Sequence, residues 1–171
     1  MSDIGRIFIE RSRAFLSHEL FPRIAASVAE LAEDDLWWRP NENSNSVGNL
    51  LLHLAGNTRQ WIVSGVGGST DERQRDLEFT DRGSFRAEEV VRRLADTVEE
   101  AAGVLARLDS SMLAEERLIQ GRQVTVLGAI YHVVEHFSMH TGQIIYITKL
   151  RTGRDLHFYR TVDGVPRADW E

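Results

Sequence analysis

Apolar residues return at threes and fours along most of this chain, the mark of amphipathic helices; strands would alternate with period two. From about Ser2 to Leu31, one stripe is formed by Ile4, Ile7, Phe8, Phe15, Leu20, Phe21, Ile24, Val28 and Leu31. Pro22 sits inside that stripe and, lacking an N–H donor, predicts a kink or a restart. Asp34 to Asn45 holds Trp37, Trp38 and Pro40 among acidic and amide residues and reads as a loop pinned by two aromatics. Ser46 is a suitable N-cap for a second helix carrying Val47, Leu50, Leu51, Leu54 and Trp61, which the glycines from Gly65 to Gly68 should end. Thr70 to Ser84, rich in Asp, Arg and Glu, reads as an exposed excursion. A third helix fits Phe85 to Leu108, with Val90, Leu94, Val98, Ala101 and Leu105 on one face. Gly121 then divides two short alternating runs into a small hairpin, and Thr125 caps a fourth helix running to about Leu150. Arg151 to Glu171 reads as an irregular tail whose aromatics, Phe158, Tyr159 and Trp170, pack back on the body.

Four helices with one dominant apolar face each predict an all-α fold, a four-helix bundle occupying residues 1–171 as a single domain. The connections are long enough to leave open whether neighbours run simply up and down. A chain of 171 residues buries on the order of 70% of its unfolded surface and needs no staples. Lys and Arg number 20 against 26 for Asp and Glu, a net charge of −6, which argues against a nucleic-acid partner held by phosphate neutralisation. There is no Cys, so disulfides, thiolate zinc sites and a Cys nucleophile are excluded together. The N-terminal segment has no uninterrupted apolar h-region, and no stretch reaches the roughly 18 apolar residues of a membrane span. The expectation is a cytoplasmic protein with neither a membrane nor a nucleic-acid partner.

The candidate chemistry lies in the histidines. Three of the six, His132, His136 and His140, stand at i, i+4 and i+8 on the fourth helix. Neighbouring members of that run face the same side a turn apart. The outer two lie about 12 Å apart at roughly 1.5 Å rise per residue, too far for one ion with bonds near ~2.1 Å. A mononuclear site therefore takes His132 with His136, or His136 with His140. A ligand from another helix is needed, and His53, on the shoulder of the second helix's apolar stripe, is the leading candidate. Three neutral imidazoles suit Zn²⁺, Ni²⁺, Fe²⁺ or Cu²⁺ and leave coordination positions free, as a catalytic metal requires. The competing reading is a polar core seam without metal. His18 and His157 have no partners in the sequence and read as surface or packing residues.

The segment NSVGNLLLHLAGNTRQWI, followed about eighty residues later by VLGAIYHVVEHFSMHTGQIIYITKL, resembles the DinB/YfiT-like superfamily and, within it, the DUF1572 branch. The likeness extends to the WWRP loop and spans nearly the whole chain. It implies a helical bundle, often dimeric, with a metal held by one histidine of the second helix and a His-x-x-x-His pair of the fourth. By position the implied ligands are His53, His136 and His140, holding a divalent ion (zinc, nickel or iron), with His132 one turn before the site. The superfamily includes thiol-dependent transferases using low-molecular-weight thiols, and hydrolases. The implied function is a metal-dependent S-transferase or hydrolase acting on a small molecule, as a homodimer. The alternative is a non-catalytic, metal-binding or stress-associated helical dimer. No side chain is singled out as catalytic: Glu135 points about 100° away from His136 around the helix, and Gln143 reads as an ordinary polar residue within reach of the pocket. Asn49 and Asn57 flank His53 at i−4 and i+4 without an assigned role. No P-loop, dinucleotide fingerprint or Ser-nucleophile motif is present, and GVGG follows a helix, the wrong context for phosphate.

Overall fold

A computed structural model describes residues 3–168; Ser2, Trp170 and Glu171, named above, lie outside them. Asp3 caps the first helix by accepting from the Arg6 N–H at 3.2 Å. α1 (Ile4–Ala14) passes through a π-helical stretch, Phe15–Leu20, into α2 (Phe21–Ala29), with Pro22 in the first turn of α2. In a regular α-helix the proline ring would meet the carbonyl four residues back. Here the ladder widens just before it, with the Phe21 N–H donating to Leu16 O, and the rod stays continuous. The Pro22 signal thus marks a change of helical type.

α3 (Glu33–Leu36) is a single turn within the stretch expected as loop. The two tryptophans do pin the remainder. Trp37 Nε1 donates to the Phe85 carbonyl at 3.0 Å, and the Arg151 guanidinium lies 4.5 Å from the Trp38 ring centre. α4 (Val47–Thr58) begins with a reciprocal cap: the Asn49 N–H donates to Ser46 Oγ, and the Ser46 N–H donates to Asn49 Oδ1. It runs on as a second π-helical stretch, Arg59–Val66. α5 (Arg75–Thr80) and α6 (Ala87–Arg107) follow. A 3₁₀ turn at Ser110–Ala114 then leads into β1 (Glu116–Ile119), β2 (Arg122–Thr125) and α7 (Val126–Thr152). β1 and β2 form the expected hairpin around Gln120 and Gly121, both at positive φ. Thr125 caps α7 as its sequence indicates, accepting from the Gly128 N–H at 3.0 Å.

The four long helices make a bundle in which the α1–α2 rod and the α4 rod both pack on α6 and α7. The first and second rods are therefore diagonal, which is why a long connection joins them. Fully buried Ile24, Leu51, Leu54, Leu94, Ile130, Phe137 and Ile144 fill the centre, each worth roughly 1.5–3 kcal/mol of transfer free energy. Among the described residues no helix is long and apolar enough to cross a membrane.

Two expectations need correcting. Thr70 to Ser84 is not simply an exposed excursion: it contains α5, and Glu78 within it is buried. The tail is not irregular throughout. β3 (Tyr159–Val162) and β4 (Val165–Ala168) pair antiparallel across Asp163-Gly164, both at positive φ, the combination a two-residue type I′ turn needs. This hairpin does pack back on the body, with Tyr159, Pro166 and Ala168 facing Arg11, Phe15 and Arg23 across a cavity.

Candidate metal centre

α4 and α7 pack side by side and bring His53 into register with His136 and His140. The Nε2 atoms of His53 and His136 are 3.1 Å apart, as are those of His140 and His136. One ligand atom from each of the three residues lies within 4.8 Å of the others. Two imidazole nitrogens bound to one ion at ~2.0–2.1 Å would be separated by about 3–3.5 Å, so the spacing is that of a shared ion. Among the described residues, these three form the group of candidate ligands.

The opposite edges of the rings are anchored. His53 Nδ1 faces Glu78 Oε2 at 2.8 Å, and His140 Nδ1 faces Gln143 Oε1 at 2.6 Å. Both partners accept, which assigns the Nδ1–H tautomer to His53 and His140 and leaves each Nε2 as a bare lone pair. Both lone pairs point at His136 Nε2, where at most one proton is available, while His136 Nδ1 is buried without a partner. Three convergent nitrogen acceptors with too few protons suit a divalent cation, which satisfies all three together; the donor set fits the implied metal.

Burial shapes the titration of the cluster. It pushes His136 down from 6.5 to about 3, helped by the proximity of His140 and His53. Burial likewise lowers His140, against the opposing hydrogen bond to Gln143, and lowers His132. These imidazoles are neutral at pH 7, the form that binds metal.

Glu78 reaches His53 from outside the four-helix frame. The Asn49 side-chain amide donates to the carbonyls of Glu78 at 2.8 Å and Asp81 at 3.1 Å, tying α5 to the start of α4. Arg73 then grips the carboxylate through Nε–Oε1 at 2.7 Å and Nη2–Oε2 at 2.8 Å. Burial works against the Glu78 carboxylate, but the hydrogen bonds from Arg73 and His53 outweigh it and hold its pKa below the usual value. Arg73 is itself fixed by donating to Gln60 Oε1 at 2.8 Å. A carboxylate behind a ligand histidine fixes its tautomer and raises its basicity.

His132 stands outside the group of three. Its ring lies 4.1 Å from that of Trp61, and Nε2 faces the Asn57 amide at 3.3 Å. Of the two pairs that spacing alone left open, it is His136 and His140 that lie with His53 in the group of candidate ligands. Glu135, His18 and His157 are exposed, as their sequence context indicates. Gln143 departs from expectation by holding His140, and so does Asn49 by holding α5. Glu78, in the short α5, and Arg73, in the loop before it, carry no periodic signal, because the burial of their side chains is set by packing against α4. A cavity of about 1020 Å³ opens between α4, the 70–84 segment and α6. Arg73 and Glu78 line it and also contact His53, whereas none of the three histidines lines it.

The model of a protein family described as "Protein of unknown function (DUF1572)" matches residues 3–163. A crystal structure of a DinB-like protein, YjoA from Bacillus subtilis, superposes with a TM-score of 0.61 at 19% sequence identity. The match covers 87% of this chain and 93% of that one, a likeness of fold. No curated protein matches.

Proposed function

The chain belongs to the DUF1572 family, and from that premise we propose that His53, His136 and His140 hold one divalent metal ion at the centre of a small-molecule enzyme. The observation that carries this reading is the convergence of three Nε2 atoms, two of them stripped of protons by acceptors at Nδ1. When bound, a divalent ion supplies a Lewis acid able to polarise an oxygen or to hold a sulfur as thiolate. The chain's own residues supply orientation: Glu78 and Gln143 keep the Nδ1 protons of His53 and His140, and Arg73 fixes the carboxylate. With three protein ligands and no fourth from His, Cys, Asp or Glu among the described residues, coordination positions stay free for a small ligand. The reactions this reading allows are S-transfer by a low-molecular-weight thiol and hydrolysis.

Cobalt-loaded protein tests the open position directly. A thiolate-to-cobalt charge-transfer band on titration with a small thiol is the expected result. A cobalt spectrum unmoved by thiol and by azide would indicate a closed centre and favour a metal-binding protein without turnover.

A further inference from the structure

The β1–β2 hairpin meets the π-helical stretch Arg59–Val66 with two consecutive residues. Ile119 is buried against Gly65, where a Cβ would collide with Ile119 Cδ1 and stand 2.8 Å from Ile119 Cγ1. The next residue, Gln120, is exposed and donates from Nε2 to Gln60 Oε1. Residues 60 and 65 are five apart, the hydrogen-bonding period of a π-helix, which stacks them on one side of the rod. A regular α-helix would carry residue 65 roughly 140° around from Gln60. The widened ladder therefore presents both contacts to the hairpin tip.

The Gln60 amide is fully engaged. Its Oε1 accepts from Gln120 Nε2 and, at 2.8 Å, from Arg73 Nη1, filling both carbonyl lone pairs. Its Nε2 donates to Asp71 Oδ2 at 2.7 Å, and Asp71 Oδ1 accepts from the Arg73 N–H at 3.1 Å. One side chain thus holds the Arg73 guanidinium directly and the Arg73 backbone through Asp71. Arg73 grips Glu78, and Glu78 accepts from His53 Nδ1. An unbroken polar chain runs from the hairpin tip to a ligand histidine.

Gln120 is not the residue its turn favours. Its φ of +52° and the +72° of Gly121 are those of a type I′ turn, whose first central position prefers Asn. A glutamine in the left-handed region is strained, and such residues persist where their surroundings hold them. One methylene longer than asparagine, Gln120 reaches Gln60.

We propose that Gln60 is a positioning residue for the metal ligand His53, and that the β1–β2 hairpin is the latch that keeps Gln60 in place. This role rests on the metal reading given above and extends the site to a segment far from His53 in sequence. Coupling free energies are reciprocal, so an ion held by His53 should in turn tighten the hairpin.

Zinc affinity by chelator competition, measured on the full chain beside urea unfolding of the metal-free protein, tests this. Gln60→Ala is expected to raise the zinc Kd roughly tenfold or more, as loss of support behind a ligand histidine does, and to shift the d–d bands of cobalt-loaded protein. Gln120→Asn separates the latch from stability, since the turn gains its favoured residue while the contact with Gln60 is lost. Metal-free stability should therefore hold or rise while the zinc Kd increases several-fold. In the Gln60→Ala background the same substitution should leave Kd unchanged, because both act through one chain of contacts. Amide exchange in the wild-type hairpin should slow on zinc loading. Wild-type zinc affinity and an unmoved cobalt spectrum in both variants would overturn the positioning role and leave the metal centre standing. A wild type that binds no zinc would overturn the metal reading and the latch with it.

Discussion

Gly56 and Glu78 compete for one volume. A Cβ on Gly56 would collide with Glu78 Oε1, stand 2.8 Å from Glu78 Cδ and 3.0 Å from Arg73 Nε. The missing side chain is the notch through which the carboxylate crosses α4 to reach His53, three residues earlier on the same helix. In an ordinary helix interior, replacing Gly by Ala stabilises by about 1 kcal/mol. At this position Gly56→Ala is expected to destabilise and to weaken metal binding by roughly 10–100-fold, the usual cost of losing a ligand's hydrogen-bonding partner. Chelator competition and thermal unfolding, run together, check both parts. An Ala variant more stable than wild type with unaltered affinity would contradict the notch.

Glu78→Gln separates charge from shape. The amide fills the same space but leaves the Arg73 guanidinium, 5% exposed, without its counter-ion. Breaking a buried pair from one side costs about 3–5 kcal/mol. The exposed pair Arg59–Glu100 provides the contrast: Arg59→Gln should cost ~0–1 kcal/mol. Urea unfolding of the two variants side by side should show that order.

His132→Ala is predicted to keep the metal. Its ring packs on Trp61 and its Nε2 faces Asn57, so truncation loses packing and leaves the three-nitrogen group intact. Loss of bound metal in this variant, with folding retained, would place His132 among the ligands.

Acid should destabilise the metal-free protein. His136 titrates near 6.5 when unfolded and about 3 when folded, with burial the main cause. Between those values the unfolded chain binds the extra proton, so stability is complete above about 6.5 and falls as the pH drops towards 3. Burial acts in the same direction on His140 and His132. Denaturant titrations of metal-free protein from pH 7.5 to about 4 should show this decline. In His136→Phe the decline should be shallower. A flat profile in the wild type would mean that these imidazoles are not neutral in the fold.

The helical frame is legible in the sequence because the bundle's burial follows helical period. Leu50 and Leu54, then Val90, Leu94 and Val98, then Ile130, Val133 and Phe137 repeat at threes and fours, and Ser46 and Thr125 announce their caps locally. The β3–β4 hairpin has a local signal as well, since Val-Asp-Gly-Val is the pattern of a type I′ turn, but its strands are exposed and lack a buried alternation. Pro22 marks the first π-helical stretch, whereas the second, Arg59–Val66, has no comparable signature. At the site, His53, His136 and His140 follow from spacing and family likeness, but the apparatus behind them does not. Glu78 lies in a charged segment whose composition suggests solvent. It is buried because Gly56 leaves room and Asn49 holds the Glu78 and Asp81 carbonyls. Such long-range contacts leave no periodicity to read.

Metal content is the most direct measure of the central claim. Tag-free wild type should be compared with His53→Ala, His136→Ala and His140→Ala by inductively coupled plasma mass spectrometry, after loading with zinc, nickel or iron. The account predicts about one ion per chain in the wild type, lost in each variant while the helical circular dichroism persists. A wild type that binds no metal under any loading would contradict it, and the three histidines would then be a polar seam in the core.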